Sequence, residues 1–104
     1  MKKSKEVLEN KNILTLRKMI IDFFKYDQVK IVLFGSRARG DNCVFSDVDI
    51  GIMPYGKLDR GKITLLREKI EDLNIPYRVE IVNFMEVSKE FKQEALKEAV
   101  IWKD

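Results

Sequence analysis

The most regular feature of this sequence is a helical spacing of apolar residues in three segments. It predicts helices over about Ser4–Tyr26, over Lys57–Asn74 and after Ser88, with charged residues on the remaining faces. The apolar stripes are Ile13, Leu16, Ile20 and Phe23, then Ile63, Leu66, Ile70 and Leu73, then Phe91, Ala95 and Ala99. A shorter first helix, capped by Asn10 or Asn12, is the alternative for the first segment.

Three other segments have the composition of strands. Val29–Phe34 is an apolar run rich in β-branched residues that does not alternate, so both of its faces should be covered. Asp47–Met53 and Tyr77–Phe84 alternate with period two, so residues two apart share a face of the sheet. The segment Val100–Trp102 is expected to be extended, with Trp102 in the core. Helices and strands mixed along one chain predict an α/β (α+β) domain, and periodicity alone also allows a parallel βαβ arrangement.

Composition limits the protein to a few classes. The 104 residues are expected to form one domain, residues 1–104, and 45% hydrophobic with 36% charged residues is typical of a globular protein. With no histidine and a single cysteine, Cys43, an intramolecular disulfide, the usual zinc sites and histidine catalysis are excluded. The net charge of +3 is too small to predict nucleic-acid binding. No secretion signal or membrane span is recognised, which predicts a cytoplasmic protein.

The first chemical motif is the basic turn Gly35-Ser36-Arg37-Ala38-Arg39-Gly40, directly after the first strand. Gly35 allows a tight turn and a close backbone approach, and Ser36 is expected to cap a short helix that reaches about Gly40. Backbone N–H groups at such a turn bind anions. The guanidinium groups of Arg37 and Arg39 are suited to bidentate contacts with phosphate oxygens. The turn is therefore a candidate phosphate-binding element.

The second motif is Ser46-Asp47-Val48-Asp49, at the start of the second strand. Strand geometry projects Asp47 and Asp49 to the same face, where their like charges repel each other. Proteins tolerate such a pair most readily where a cation lies between the carboxylates. A phosphate-binding turn facing a carboxylate pair predicts metal-assisted phosphoryl chemistry.

These two motifs at this spacing resemble the signature of the DNA polymerase β-like nucleotidyltransferase superfamily. In its short length and its GSRARG motif, the chain resembles the minimal nucleotidyltransferases of this superfamily, the MNT proteins. The resemblance implies a small mixed β-sheet with helices packed largely on one side. By its place on the strand after the second helix, Glu80 resembles the third acidic residue of the superfamily, a position where aspartate is usual. Glu80 is also an unusual residue among Val79, Ile81 and Val82, because a covered carboxylate is costly without a partner.

The resemblance implies a complete site. Asp47, Asp49 and Glu80 would be the catalytic residues and the ligands of Mg²⁺, with two ions expected, while Gly35, Ser36, Arg37 and Arg39 would bind the nucleotide. The reaction would transfer a nucleoside monophosphate to a hydroxyl and release pyrophosphate. For an MNT protein the resemblance further implies ATP as the substrate, a tyrosine of a HEPN-domain toxin as the acceptor of AMP, and an antitoxin role.

Two alternatives remain at the level of sequence. A non-catalytic antitoxin would neutralise its partner by occlusion, and glutamate in place of aspartate at position 80 favours it. A nucleotidyltransferase acting on small molecules is the other alternative, although the chain contains no second domain that would bind such an acceptor. The sequence allows either a homodimer or a hetero-oligomer.

Overall fold

A computed structural model describes residues 10–43 and 46–104 of the chain as a four-stranded sheet with four helices. The elements are α1 (Lys11–Phe23), β1 (Val29–Phe34), α2 (Ser36–Arg39), β2 (Val48–Pro54), α3 (Arg60–Glu71), β3 (Val79–Asn83), α4 (Lys89–Leu96) and β4 (Val100–Lys103). Within these described ranges, no helix is long and apolar enough to cross a membrane.

The sheet is mixed, with strand order β3-β2-β1-β4. β1 lies antiparallel to both β2 and β4, and β2 lies parallel to β3 across the α3 connection. Phe34 at the end of β1 therefore faces Asp49, and Asp49 in turn faces Glu80 on β3. The mixed sheet predicted from the resemblance is confirmed, and the all-parallel alternative is excluded.

The two faces of the sheet are covered differently. The larger core lies between one face and the apolar stripes of α1 and α3, which pack on the same side. Trp102 of β4 joins this core as predicted, with 7% of its surface exposed. On the other face, Val32, Phe34 and Phe84 form a smaller cluster beneath α4. Helix α4 thus covers part of the face that carries Asp49, and the two long helices lie on the opposite side.

Most element boundaries agree with the sequence, and the exceptions have local causes. The shorter form of the first helix is confirmed, because the Asn10 side chain accepts hydrogen bonds from the N–H groups of Asn12 (2.9 Å) and Ile13 (3.3 Å). Residues 4–9 of the longer prediction lie outside the described part of the chain. Helix α3 is shorter than predicted, since Asp59 caps it at its start.

Strand β2 also differs slightly from its prediction. It begins at Val48, one residue later than expected, and ends at Pro54, one residue beyond the expected end at Met53. Proline is tolerated there because it occupies the last position of the strand. The prediction that Ser36 caps the short helix is wrong: Ser36 is the first helical residue, and Gly35 takes the N-cap position with no side-chain hydrogen bond.

Candidate active site

The turn after β1 brings its backbone directly against the acidic residues of β2. Gly35 has φ +79° and ψ −160°, a conformation that glycine adopts without the steric cost other residues pay. A side chain at this position would overlap Oδ2 of Asp49, so glycine is required for the close approach as well as for the backbone angle. The Ser36 N–H opens α2 and has no acceptor inside the helix. The predicted phosphate turn and the predicted metal-binding strand are therefore in contact.

The acidic side chains share one region of the sheet. Asp49 is half-buried on β2, Asp47 is exposed just before that strand, and Glu80 lies beside Asp49 in the parallel register of β3. Burial raises the pKa of the Asp49 carboxyl above its ordinary value, the negative charges of Asp47 and Glu80 raise it further, and Arg39 lowers it. The charges of Asp47 and Glu80 are thus close enough to Asp49 to influence its ionisation. A cation between them would relieve this repulsion.

Glu80 also forms an ion pair with Arg78, two residues earlier in the sequence. Its Oε1 lies 3.1 Å from Nη2 of Arg78, and both side chains are open to solvent, 46% and 73% exposed. Among residues 10–43 and 46–104, no three histidine, cysteine, aspartate or glutamate side chains converge as a ready metal cluster. Mg²⁺ commonly takes one or two protein carboxylates and completes its shell with substrate phosphates and water. The Asp47 and Asp49 pair fits that pattern, and Glu80 would have to leave Arg78 to become a third ligand.

Arg37 is placed differently from its prediction as a phosphate ligand. Only 6% of its surface is exposed, and its Nε and Nη2 donate to the Ser46 carbonyl oxygen at 3.1 and 3.0 Å. Its guanidinium also lies over the Tyr77 ring, 4.3 Å from the centroid. The side chain is therefore directed into the fold and holds the residue that precedes Asp47. Its contacts suit it to positioning the acidic segment rather than to gripping phosphate.

Arg39 is the more open of the two arginines. Its side chain is 46% exposed, and its Nε lies 3.1 Å from Oδ2 of the exposed Asp41. An ion pair between exposed groups contributes little stability, so a phosphate could replace Asp41 at small cost. Because Arg39 lowers the pKa of Asp49, its charge reaches the acidic group as well. Of the two arginines, Arg39 is the one available to a bound anion.

Sequence reasoning missed the role of Tyr77, which supports the position of Arg37. Tyr77 holds the Arg37 guanidinium on its ring, and its hydroxyl accepts a hydrogen bond of 2.6 Å from Nδ2 of Asn10. The Ser46 hydroxyl accepts a hydrogen bond from the Cys43 N–H at 2.9 Å. The N-terminal cap of α1 is thereby linked through Tyr77 and Arg37 to the acidic strand. An aromatic residue next to Pro76, ahead of a short strand, is the only sequence signal for this role.

Comparisons with known proteins agree with the fold and the motif. The family model described as polymerase β, nucleotidyltransferase, matches residues 18–104. The Haemophilus influenzae protein MntA, described as a probable protein adenylyltransferase, is 30% identical over 60 residues, which are 58% of this chain and 53% of MntA. The chain therefore spans about half the length of this curated relative.

Two solved structures share the fold at low sequence identity. A toxin–antitoxin crystal structure with AMP-PNP aligns with TM-score 0.65 and 22% identity, covering 83% of this chain and 71% of the other. The tri-AMPylated Shewanella oneidensis HEPN toxin in complex with an MNT antitoxin gives TM-score 0.60 and 20% identity over 86% of this chain and 70% of the other. These alignments agree with the fold, and the family match over residues 18–104 confirms the resemblance to the polymerase β-like nucleotidyltransferases.

Proposed function

Since this chain belongs to the polymerase β nucleotidyltransferase family, we propose that it transfers a nucleoside monophosphate, AMP from ATP, to a hydroxyl group and releases pyrophosphate. One observation carries the proposal: the backbone of the Gly35 turn lies directly against the Asp49 carboxylate. A group that binds phosphate and a group that binds metal are useful to this reaction only if they meet at one substrate.

In the proposed reaction the turn binds the leaving group. The N–H groups and hydroxyl at Gly35 and Ser36, together with the Arg39 guanidinium, bind the outer two phosphates of ATP. The Asp47 and Asp49 carboxylates are the groups that would hold Mg²⁺, with two ions expected in the complete site. When bound, Mg²⁺ neutralises phosphate charge and activates the acceptor hydroxyl. Arg37 keeps the Ser46–Asp47 segment in place through its bonds to the Ser46 carbonyl.

The acceptor enters from the β3 side of the acidic group. Displacement at phosphorus is in-line, so the attacking oxygen must lie opposite the leaving pyrophosphate at the Gly35 turn. Glu80 occupies that side, and its carboxylate takes the proton from the acceptor hydroxyl. The acceptor oxygen forms a bond to the α-phosphorus, the bond to the bridging oxygen of the β-phosphate breaks, and pyrophosphate leaves. Glu80 must release Arg78 for this role, and the exposure of that ion pair makes the release inexpensive.

We further propose a HEPN-domain toxin as the partner and one of its tyrosines as the acceptor, so that the chain acts as an antitoxin. The AMP groups on the HEPN toxin of the structurally similar complex support this choice.

The direct test is incubation of the protein with Mg²⁺, ATP labelled at the α-phosphate and a HEPN-domain protein. The proposal predicts label on a tyrosine of the HEPN protein and none when the label is on the γ-phosphate. Asp47→Asn should abolish transfer, while Asp22→Asn, which changes an exposed aspartate of α1, should leave it intact. Absence of labelled product under conditions where the two proteins bind each other would refute the proposed reaction.

A second candidate function is neutralisation of the partner by occlusion, without chemistry. The Arg78–Glu80 ion pair favours it, because a glutamate held by arginine is less suited to metal binding than a free aspartate. Under occlusion, Asp47→Asn would keep its protective effect on cells that produce the toxin. Under nucleotidyl transfer, the same variant would bind the toxin and fail to protect.

A further inference from the structure

A cavity of about 260 Å³ lies between the end of β1, helix α2 and helix α4. It shares Gly35 and Arg39 with the candidate active site and extends from them to Phe91 and Ala95 on α4. Its volume is just below the ~300 Å³ at which small-molecule pockets usually begin. We call it the Phe91 cavity. Gly35 lines this cavity and also contacts Asp49, so the cavity is adjacent to the acidic residues.

The apolar wall of the Phe91 cavity contains an aromatic ring that other rings hold in place. Phe91 packs edge-on against Phe34 (centroids 6.0 Å apart, 86°) and against Phe84 (6.4 Å, 76°). It nevertheless remains 45% exposed, and α4 carries no fully buried residue. A fixed ring with an open surface is suited to stacking on a planar ligand, and every nucleobase has such a face.

The rim of the cavity carries both signs of charge. Arg39 and Lys97 supply cations, while Glu94 and Glu98 supply carboxylates that can accept hydrogen bonds from hydroxyl or amino groups. An apolar wall with a polar rim matches a ligand that has a planar ring, a sugar and a phosphate end. Inorganic phosphate alone would use the cationic groups and leave the aromatic wall without a function.

A second cavity lies on the β3 side of the sheet. It measures about 520 Å³, lies between α3 and β3, and includes Glu80, Arg67 and Arg78. Since β2 lies between β1 and β3, Gly35 after β1 and Glu80 on β3 approach Asp49 from opposite sides. In-line displacement places the acceptor and the leaving pyrophosphate on opposite sides of the α-phosphorus, so an acceptor that enters past Glu80 puts the outer phosphates on the Gly35 side. The Phe91 cavity adjoins that side through Gly35 and Arg39.

We propose that the Phe91 cavity seats the nucleoside of the nucleotide substrate, with the base against Phe91 and the ribose toward Glu94 and Glu98. The inference rests on the proposed nucleotidyl transfer and adds to it the part of the chain that recognises the nucleoside. It also assigns α4 a role in substrate binding that the sequence motifs do not indicate.

The test compares two ligands on three variants of the full chain by isothermal titration calorimetry with Mg²⁺ present. ATP carries a nucleoside, and tripolyphosphate has the phosphates alone. Phe91→Ala should weaken ATP binding roughly 5- to 150-fold, the value of one lost stacking contact, and leave tripolyphosphate binding unchanged. Phe91→Trp should retain ATP affinity because it keeps a ring. Leu65→Ala, which removes a comparably exposed side chain (47%) from α3, should change neither affinity.

The possible failures are distinguishable. Equal ATP affinity in Phe91→Ala and the unmodified protein would overturn the nucleoside assignment, and so would a parallel loss of both ligands, which indicates a purely structural ring. If the unmodified protein bound ATP no more tightly than tripolyphosphate, the nucleoside subsite would be refuted while phosphate binding stood. Binding of neither ligand would refute the proposed function itself and the inference with it.

Discussion

The buried Arg37 provides the sharpest prediction about how the active site is held together. Arg37→Met keeps an unbranched apolar stem but removes both hydrogen bonds to the Ser46 carbonyl and the charge above the Tyr77 ring. Without them, the Ser46 carbonyl loses its two hydrogen bonds from Arg37, and Asp47 is held less firmly. We therefore expect a loss of stability together with a loss of nucleotidyl transfer.

The magnitude follows from the contacts. Hydrogen bonds from a charged donor contribute about 1.5–3 kcal/mol, and a desolvated cation–π contact contributes about 2 kcal/mol. Removing a buried charge also recovers part of its desolvation cost, which lowers the total. The expected decrease in the free energy of unfolding is about 2–4 kcal/mol, a large part of the ~5–15 kcal/mol that small domains have.

Urea denaturation followed by circular dichroism measures this decrease in the free energy of unfolding. Label transfer is then compared at a temperature where both the unmodified protein and Arg37→Met are folded. Tyr77→Phe is the matched control: it keeps the ring beneath Arg37 and loses only the bond from Asn10, so it should cost about 1 kcal/mol and retain transfer activity. An unchanged urea midpoint for Arg37→Met would refute the stability argument. A large loss of stability with full transfer activity in the folded protein would refute the positioning role.

Further predictions concern Gly35 and Gly51, which each lie close to another side chain, and the ionisation of Asp49. Gly35→Ala places a Cβ at φ +79° against Asp49, so we expect a loss of about 1–2 kcal/mol in urea denaturation and loss of label transfer. Gly51→Ala, whose Cβ would lie 2.5 Å from the Phe84 ring, should cost about 1–3 kcal/mol and retain transfer in the folded protein; the same activity loss in both would contradict a specific role for Gly35. Because the pKa of Asp49 is raised, the native state binds more protons than the unfolded state, and stability falls as pH rises from the ordinary aspartate range toward the raised value. Asp49→Asn should therefore be more stable than the unmodified protein near pH 7 and lose this advantage near pH 3, and greater stability of the unmodified protein at pH 7 in metal-free buffer would show the sign to be wrong.

Features with a local cause could be predicted from the sequence. Strand β1 has the predicted limits because its non-alternating apolar run ends at a glycine with positive φ. The Asn10 cap and the Ser88 cap of α4 also follow from residue type and position. The two motifs predicted that a phosphate turn and an acidic strand would be neighbours, which the Gly35–Asp49 contact bears out.

Features that depend on distant parts of the chain could not be derived from periodicity. The placement of Glu80 beside Asp49 depends on the parallel register of β2 and β3, which the resemblance implies but local spacing does not contain. The inward direction of Arg37 depends on Tyr77, forty residues later in the sequence. An arginine in a basic turn is typical of phosphate binding, and only the folded structure provides the competing carbonyl and ring.

The central claim is that the Gly35 turn and the Asp47 and Asp49 pair act on one nucleotide through a shared divalent ion. The most direct measurement is the ATP affinity of the unmodified protein and of Asp49→Asn, each in Mg²⁺ and in EDTA. The account predicts tighter binding with Mg²⁺ for the unmodified protein and loss of that difference in Asp49→Asn. Equal ATP affinity of the unmodified protein in Mg²⁺ and EDTA would contradict it.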